Sequence, residues 1–309
     1  MRAVVFAYSN VGDRCLRVLH AGGVEVALVA THRDHPGETL WFSRVADTAA
    51  ELGLPTIYAD DPKAPELADA VAAANPDLIF SFYYRSMIPA AILELAPAYN
   101  MHGSLLPHFR GRAPTNWAVL EGATETGATL HEMVAKPDAG AIVDQQAVPI
   151  LPDDTGQQVF DKVCVAAEIV LWRSLPALLA GRAPRLPNDL AAGSYRGGRK
   201  PEDGRIDWSQ PAARVYDLIR AVAPPYPGAF AEIGGERLVI AEARRPRPGR
   251  EPGVAGRAPG LHVVDGRIVA VCGDGGAIEV RRILAGSAPI DAAALATRLN
   301  PHSPVKVAP

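Results

Sequence analysis

The feature that most constrains the fold is a regular alternation of apolar and amphipathic segments in the first third of the chain. Residues 2–7 and 24–30 are nearly continuous apolar runs, typical of strands covered on both faces of a parallel sheet. The segments that follow them, at 13–20 and 41–52, carry apolar residues at helical spacing. This alternation predicts an open, doubly wound, mostly parallel α/β sheet with right-handed crossovers.

The same pattern continues to residue 83. It predicts a short strand at 56–58, a helix at 62–74 with Pro62 in the first turn, and a strand at 77–83. The turn at 7–12 lacks G-x-G-x-x-G, so a dinucleotide site is poorly supported.

The middle of the chain predicts a helix after Pro114 and two strands, at 126–134 and 141–150. Because the connection between these strands is short, we expect them to pair antiparallel. A long helix should follow, capped by residues 153–155 and kinked or interrupted at Pro176.

The composition changes after residue 182, where Arg, Pro, Gly, Asn and Ser dominate as in a linker. Beyond a helix at 211–222, short β segments between glycine turns predict a small barrel. A chain of 309 residues is long enough for a larger and a smaller domain. We expect an α/β domain at 1–185, a linker at 186–206 and a β domain at 207–309.

Composition and charge argue against several classes of protein. With 48% apolar and 21% charged residues, the chain can form a buried core. Its net charge of −3 argues against a nucleic-acid binder with a broad basic face. The scattered Cys15, Cys164 and Cys272 match no metal or disulfide spacing, which favours a reducing, cytoplasmic setting. No apolar stretch reaches the length of a membrane span, so we expect no membrane insertion.

Asn100-Met-His102 is the first candidate for a chemical site. If these residues are extended, Asn100 and His102 lie on the same face with Cα atoms about 6.5–7 Å apart. An isolated Asn-x-His is usually an ordinary hydrogen-bonding pair. This one falls where a strand of the predicted sheet would end, which is where ligands of such sheets bind. The pair supplies a hydrogen-bond donor and a proton carrier for one reacting atom.

Polar turns supply further candidates, each with two interpretations. Asp138 is either a turn residue that bonds its own backbone or a carboxylate that orients His102 and raises its pKa. Arg110 and Arg112 form either a solvated basic turn or a site for an anionic group. Residues 31–38 match no metal motif and favour a polar loop on the ligand side. These residues indicate a metal-free Asn/His/Asp cluster for acid–base chemistry with an oxyanion, and they name no substrate.

Three segments together carry a family resemblance. They are Asn100-Met-His-Gly-Ser-Leu-Leu-Pro-His-Phe-Arg-Gly-Arg-Ala-Pro114, Glu125-Thr-Gly-Ala-Thr-Leu-His131 and Pro137-Asp-Ala-Gly140. They resemble the 10-formyltetrahydrofolate-dependent formyltransferases, which act on glycinamide ribonucleotide, methionyl-tRNA or amino sugars. The resemblance implies a Rossmann-like formyltransferase domain followed by a C-terminal domain similar to an OB-fold.

The resemblance also implies roles for individual residues. Asn100 would donate to the oxyanion, His102 would carry the proton, and Asp138 would hold His102 and raise its pKa. The co-substrate would be 10-formyltetrahydrofolate, with no metal. The residues that fall where the family contacts the folate are Ser86, Met87, Ile88, Arg112, Val134, Ala135, Lys136, Pro137 and Asp138.

A narrower resemblance concerns the acceptor. Phe6-Ala-Tyr8, Phe80-Ser-Phe-Tyr-Tyr-Arg85 and the segment from Arg220 to Phe230 are similar to the formyltransferase half of the bifunctional polymyxin-resistance proteins. That half N-formylates UDP-4-amino-4-deoxy-L-arabinose for lipid A modification. The resemblance implies two small-molecule partners, a folate and a nucleotide-linked amino sugar, and no nucleic acid. A homodimer is one assembly that the sequence leaves open.

Two other hypotheses stay open. The acceptor could be methionyl-tRNA, or another UDP- or dTDP-linked amino sugar, although the acidic net charge argues against tRNA. The protein could also be a non-catalytic folate- or nucleotide-binding module. The joint presence of Asn100, His102 and Asp138 argues against that hypothesis.

Overall fold

The computed structural model describes residues 1–34, 37, 40–247, 249 and 252–299. These residues divide into two compact units, each assembled from separate stretches of chain. The first unit comprises Met1–Thr115, Glu125–Pro149 and Phe160–Gly198. The second comprises Asn116–Thr124, Ile150–Val159 and the described residues from Arg199 onward.

The first unit is built on a seven-stranded sheet with strand order β3-β2-β1-β4-β5-β7-β8. Strands β1 to β5 pair in parallel, whereas β7 pairs antiparallel with both β5 and β8. This confirms the predicted doubly wound α/β fold. The elements up to residue 198 are β1 (Arg2–Ala7), α1 (Ser9–Ala21), β2 (Glu25–Thr31), α2 (Val45–Glu51), β3 (Thr56–Tyr58), α3 (Pro65–Ala74), β4 (Leu78–Phe82), α4 (Ala90–Leu93), β5 (Ala98–His102), β6 (Arg110–Gly111), α5 (Pro114–Leu120), β7 (Glu125–Glu132), β8 (Ile142–Pro149), α6 (Gly156–Leu179) and β9 (Tyr195–Arg196).

The sheet has a hydrophobic core on each face. Val5 packs in one core with Leu16 of α1 and Val163 of α6. Phe6, the next residue of β1, packs in the opposite core with Leu67 of α3. Successive side chains of a strand point to opposite faces, so a strand covered on both sides is apolar at every position. This explains the continuous apolar runs in the sequence.

Two predicted boundaries near helix starts are wrong. Residues 9–12 form the first turn of α1 and not a free turn, because the Gly12 amide donates to the Tyr8 carbonyl at 3.1 Å. The first-turn proline of α3 is Pro65 and not Pro62. In both places the sequence contains turn-forming residues immediately before or inside the first helical turn, where turn and helix geometries are similar.

Helix α6 continues through Pro176, so of the two predicted effects of this proline the interruption does not occur. The Ala180 amide donates to the Pro176 carbonyl at 3.2 Å, which carries the helix past the proline. Pro176 lies on the exposed side of α6, one turn after the exposed Trp172. The Trp172 carbonyl, which loses its helical donor to the proline ring, therefore faces solvent.

The second unit contains a curled antiparallel half-barrel, which confirms the predicted small OB-like β domain. Its sheet has the order β10-β11-β14-β13-β12, with β15 also paired to β14. The described elements from residue 199 onward are a 3₁₀ turn (Pro201–Gly204), α7 (Ala212–Ala221), β10 (Ala229–Ile233), β11 (Glu236–Arg244), β12 (Gly260–Val264), β13 (Arg267–Val271), β14 (Ala277–Ala285), β15 (Ala288–Ile290) and α8 (Ala292–Leu299).

Two further findings concern the described ranges only. No helix in them combines the length and apolar character needed to cross a bilayer. No group of three or more His, Cys, Asp or Glu side chains in them could hold a metal ion.

Candidate active site

Strand β5 positions the Asn-x-His motif. In its antiparallel pairing with β7, Asn100 lies opposite His131 and His102 lies opposite Thr129. His102 is the last residue of β5, at the strand end where the sequence predicted it. Its side chain is 6% exposed, whereas Asn100 is partly exposed. Because β5 is hydrogen-bonded to a strand on each side, the backbone beneath both side chains is fixed.

The turn between β7 and β8 brings Asp138 onto this strand. The Gly111 amide donates to Asp138 Oδ2 at 2.8 Å. The side-chain amide of Asn188 donates to the carbonyls of Asp138 (3.1 Å) and Gly140 (3.0 Å). A Cβ at Gly140 would lie 2.0 Å from the Glu132 carbonyl oxygen, so only glycine fits there. The Asp138 carboxylate therefore bonds a distant backbone amide, unlike that of a simple turn residue.

The His102 ring lies between two oxygen atoms. Its Nδ1 is 3.5 Å from Asp138 Oδ1, and its Nε2 is 3.0 Å from the Phe109 carbonyl oxygen. Phe109 has a left-handed backbone, with φ of 54°. Its amide donates a hydrogen bond to Ser194 Oγ at 2.9 Å, which holds this turn in place. A neutral imidazole can donate to only one of the two oxygens, whereas an imidazolium can donate to both.

Asp138 raises the pKa of His102, as predicted, but the net shift of this pKa is downward. Burial lowers this pKa below the usual 6.5 because the charged ring loses its hydration. Asp138 and the Phe109 carbonyl act in the opposite direction, and His131 adds to the lowering. Since burial dominates, His102 is neutral at neutral pH in the ligand-free protein.

The Asp138 carboxylate keeps its charge in this environment. Burial alone would raise its pKa, but His102 and the donated hydrogen bond of the Gly111 amide lower it to about 2. A fixed negative charge therefore faces His102 throughout the neutral range and favours any proton that the ring takes up.

His131 belongs to the cluster, although sequence reasoning assigned it no role. Its Nε2 lies 3.1 Å from Asn100 Nδ2 and 3.6 Å from Asp138 Oδ1, and its Nδ1 lies 2.8 Å from the Glu132 carbonyl oxygen. His131 is 2% exposed. Pairing the predicted strand at 126–134 with the strand that ends at His102 would have revealed it.

The two arginines of the basic turn have different environments. Arg110 is buried, with Nη2 3.2 Å from the Leu190 carbonyl oxygen, so it is not part of a solvated turn. Arg112 is exposed, and its Nη2 lies 3.4 Å from the Arg85 carbonyl oxygen. Only Arg112 is therefore accessible to an anionic ligand.

The residues expected to contact a folate lie on two loops. Met87 follows β4 and is 61% exposed, and Ser86 beside it is partly exposed. The Ile88 side chain is 5% exposed and packs in the core, so only its backbone is available to a ligand. The other loop follows β7, and its exposed members are Val134, Ala135, Lys136 and Pro137.

The polar loop after β2 lines a cavity of about 340 Å³ at the carboxyl ends of β1 to β3. The Tyr8 hydroxyl donates to Asp34 at 2.9 Å, and Arg44 pairs with the same carboxylate at 2.8 Å. His32 stacks on Tyr84 with ring centroids 4.2 Å apart. Residues 35, 36, 38 and 39 lie outside the described residues. The described part agrees with a polar ligand-side loop.

A doubly wound sheet with an Asn/His/Asp cluster at a strand end, joined in sequence to a β half-barrel, is an enzyme architecture for acid–base group transfer. Residues 1–175 match the family described as formyl transferase, and residues 199–300 match the formyl transferase C-terminal domain. The chain belongs to the formyl transferase family and is a formyltransferase.

Solved structures with the same fold share little sequence with this chain. An N-formyltransferase from Helicobacter canadensis, solved with folinic acid and dTDP-3-aminofucose, is 17% identical with a TM-score of 0.66, covering 90% of this chain and 98% of its own. A glycinamide ribonucleotide transformylase from Symbiobacterium toebii is 23% identical with a TM-score of 0.53, covering 60% and 94%.

HypX from Aquifex aeolicus, solved with tetrahydrofolic acid, is 18% identical with a TM-score of 0.64. The match covers 98% of this chain and 48% of HypX. The chain therefore spans about half the length of HypX. At these identities the comparisons establish the fold.

Proposed function

We propose that this protein transfers the formyl group of 10-formyltetrahydrofolate to the 4-amino group of a nucleotide-linked amino sugar. UDP-4-amino-4-deoxy-L-arabinose, whose formylation serves lipid A modification and polymyxin resistance, is the proposed acceptor. The setting is the cytoplasm, since the three buried cysteines are free thiols. The observation that carries the proposal is the contact of His102 with Asp138, 3.5 Å apart, beside Asn100 on the same strand.

In this proposal Asn100 stabilises the developing negative charge and His102 transfers the proton. The folate supplies an activated formyl group, and an Asn100 N–H donates to its oxygen as negative charge develops there. His102 is neutral, and in the free protein its Nε2 donates to the Phe109 carbonyl. When the substrates displace that carbonyl, the ring hydrogen moves to Nδ1, which faces Asp138, and Nε2 becomes the basic atom. The attacking amine replaces the Phe109 carbonyl as the partner of Nε2 and gives up its proton there. Asp138 stabilises the imidazolium, which then passes the proton to the departing folate nitrogen.

The exposed folate-side residues have the chemistry that such a co-substrate needs. Met87 and Val134 expose 61% and 45% of their surface, and apolar side chains accessible in this way suit the face of a pterin ring. Arg112 and Lys136 are exposed and positively charged, which suits the carboxylates of a folate tail.

The cavity after β2 supports a nucleotide-linked acceptor. It lies on β2, which is separated from β5 by β1 and β4. Three strand spacings correspond to about 14 Å, close to the span of a nucleoside diphosphate sugar from base to sugar amine. Tyr8, Tyr58 and Asp34 line the cavity, and such aromatic and carboxylate side chains suit a base and ribose hydroxyls. We propose that the nucleotide lies there with its amino sugar toward His102.

A substrate panel tests this function. The purified protein is incubated with 10-formyltetrahydrofolate and a series of UDP- and dTDP-linked amino sugars, and each sugar is analysed by mass spectrometry. We expect a formyl group on UDP-4-amino-4-deoxy-L-arabinose. Formylation of a different sugar alone would reassign the acceptor. Formylation of none, with an active sugar formyltransferase as positive control, would contradict the proposal.

A second candidate acceptor is methionyl-tRNA, favoured by a cavity of about 890 Å³ in the second unit. The arginines that line it are Arg244, Arg245, Arg247, Arg267 and Arg281. Carboxylates share the lining, and Glu279 pairs with one of these arginines at 2.8 Å. Because these acids offset much of the positive charge, we rank the tRNA acceptor second. Formylation of charged initiator tRNA under the conditions of the sugar panel would reverse this ranking.

A further inference from the structure

His131 is the buried neighbour of the proposed oxyanion donor. It lies directly opposite Asn100 in the β5–β7 ladder, and its side chain is 2% exposed. A buried histidine costs free energy unless both ring nitrogens have partners. Here both nitrogens have partners, so the hydrogen-bonding state of the ring can be worked out.

The backbone determines which nitrogen of His131 carries the hydrogen. Nδ1 lies 2.8 Å from the carbonyl oxygen of Glu132. A carbonyl oxygen can only accept, so Nδ1 must donate and carries the hydrogen. In the neutral ring Nε2 then has a lone pair and no hydrogen. Nε2 lies 3.1 Å from Asn100 Nδ2, which donates to it.

This acceptor determines which end of the Asn100 amide faces the ring. If the amide were turned over, its oxygen would meet the lone pair of Nε2, and two acceptors would oppose each other. The amide is therefore held with NH₂ toward His131. One of its two hydrogens is used by the ring, and the other is left for the substrate.

We infer that His131 is a positioning residue that orients the Asn100 amide so that it presents an N–H, and not a carbonyl oxygen, to the formyl oxygen. The inference rests on the proposed role of Asn100. Asp138 Oδ1 is 3.6 Å from the same Nε2. A hydrogen placed on Nε2 would be donated to that carboxylate, and Asn100 would lose the acceptor that holds it.

A double-mutant cycle on the preferred acceptor tests the inference. His131→Leu removes the acceptor, and we expect kcat to fall about 10- to 100-fold while KM for both substrates changes less than about 2-fold, as for a lost positioning contact. His131→Gln offers an amide oxygen to Asn100 and should recover part of the loss. The double variant Asn100→Ala/His131→Leu should be no slower than Asn100→Ala within about 2-fold, because His131 acts through Asn100. Multiplicative losses in the double variant, or no recovery with Gln, would overturn the inference.

A second measurement needs no substrate, so it separates failure of this inference from failure of the proposed function. Nitrogen-15 NMR of the ligand-free protein distinguishes a ring nitrogen with hydrogen from one without. At a pH where the ring is neutral, we expect hydrogen on Nδ1 of His131 and none on Nε2. Hydrogen on Nε2 instead would show that the ring does not accept from Asn100, whatever the acceptor of the enzyme is.

Discussion

At the residue scale, two opposing effects act on the pKa of His102. Burial lowers it in the free protein, whereas neighbouring oxygen atoms favour the protonated ring. Burial dominates its pKa, yet Asp138 and the Phe109 carbonyl both face its nitrogens. The ring is thus neutral at neutral pH in the free protein, and it faces a carboxylate that stays charged and would stabilise an imidazolium. This is a suitable arrangement for moving one proton between two substrates.

Replacing Asp138 by Asn should lower the pKa of His102 further. Asn keeps an oxygen for the Gly111 amide but removes the negative charge that favours the imidazolium, so the ring should bind its proton only at more acidic pH. An NMR titration of His102 in the ligand-free protein measures this. Wild type should titrate below 6.5, and the variant lower still.

Asp265→Asn is the matched control for that titration. Asp265 also has a left-handed backbone, with φ of 49° against 52° for Asp138, and it lies in the second unit. It should leave the titration of His102 unchanged. A rise in the pKa of His102 in Asp138→Asn would contradict the electrostatic role given to Asp138.

Removing either reacting side chain should affect catalysis more than binding. We expect Asn100→Ala and His102→Ala to lower kcat by about 10²–10³ each, because each loses a contact that strengthens as charge develops. The measurement is steady-state kinetics with the preferred acceptor. Gln146→Ala on β8 is a control that should keep kcat within about 2-fold. Undiminished turnover in His102→Ala would rule out the proton-carrier role.

At the element scale, β7 is the strand on which the site depends most, and its packing leaves no room at Gly127. A Cβ there would lie 2.1 Å from the Gln146 carbonyl oxygen and 2.7 Å from Leu105 Cδ2. We expect Gly127→Ala to cost about 1–3 kcal/mol, as overpacking usually does, and to lower the unfolding temperature. Gly197→Ala, where a Cβ would meet nothing within 4 Å, should have little effect. Equal unfolding temperatures for the two variants would show that β7 and β8 can separate freely.

Strands and helix starts differed in how well the sequence predicted them, because apolar runs are a stronger signal than turn residues. Strands β1 and β2 were predictable because burial on both faces demands unbroken apolar runs. Helix starts were less predictable: Pro62 and Pro65 are both suitable first-turn residues, and only the contacts of α3 select Pro65. His131 escaped sequence reasoning because its importance depends on register, and register between β5 and β7 is a tertiary property. The lowered pKa of His102 could not be predicted either, because it depends on the burial of the ring, and the sequence motif does not indicate burial.

At the scale of the whole molecule, Arg220 joins the three stretches of chain that form the second unit. Its guanidinium donates to the carbonyls of Val119 (3.3 Å) and Asp154 (3.2 Å) and to the carboxylate of Asp217 (2.9 Å). These three residues belong to three separate stretches of that unit. Arg220 is 7% exposed, so this single side chain replaces the water that three buried oxygens would otherwise need.

Arg220→Met should destabilise the second unit strongly. It leaves the Asp217 carboxylate and two carbonyls buried without this donor, and breaking a buried ion pair typically costs about 3–5 kcal/mol. Urea denaturation followed by circular dichroism measures the loss. Arg214→Met, at an exposed position of the same helix, should change stability by less than about 0.5 kcal/mol. Similar midpoints for both variants would show that Arg220 does not hold the stretches together.

The late position of two anchoring residues in the first unit also determines when the candidate active site can form. The turn that carries Asp138 is held by Asn188, and the turn at Phe109 is held by Ser194. As the ribosome releases the chain, the strand with Asn100 and His102 emerges long before either of these anchors. A nascent chain shorter than about 194 residues lacks the anchors that hold the catalytic geometry. The contact of His102 with Asp138 and Phe109 therefore depends on anchors that are synthesised near the end of the first unit.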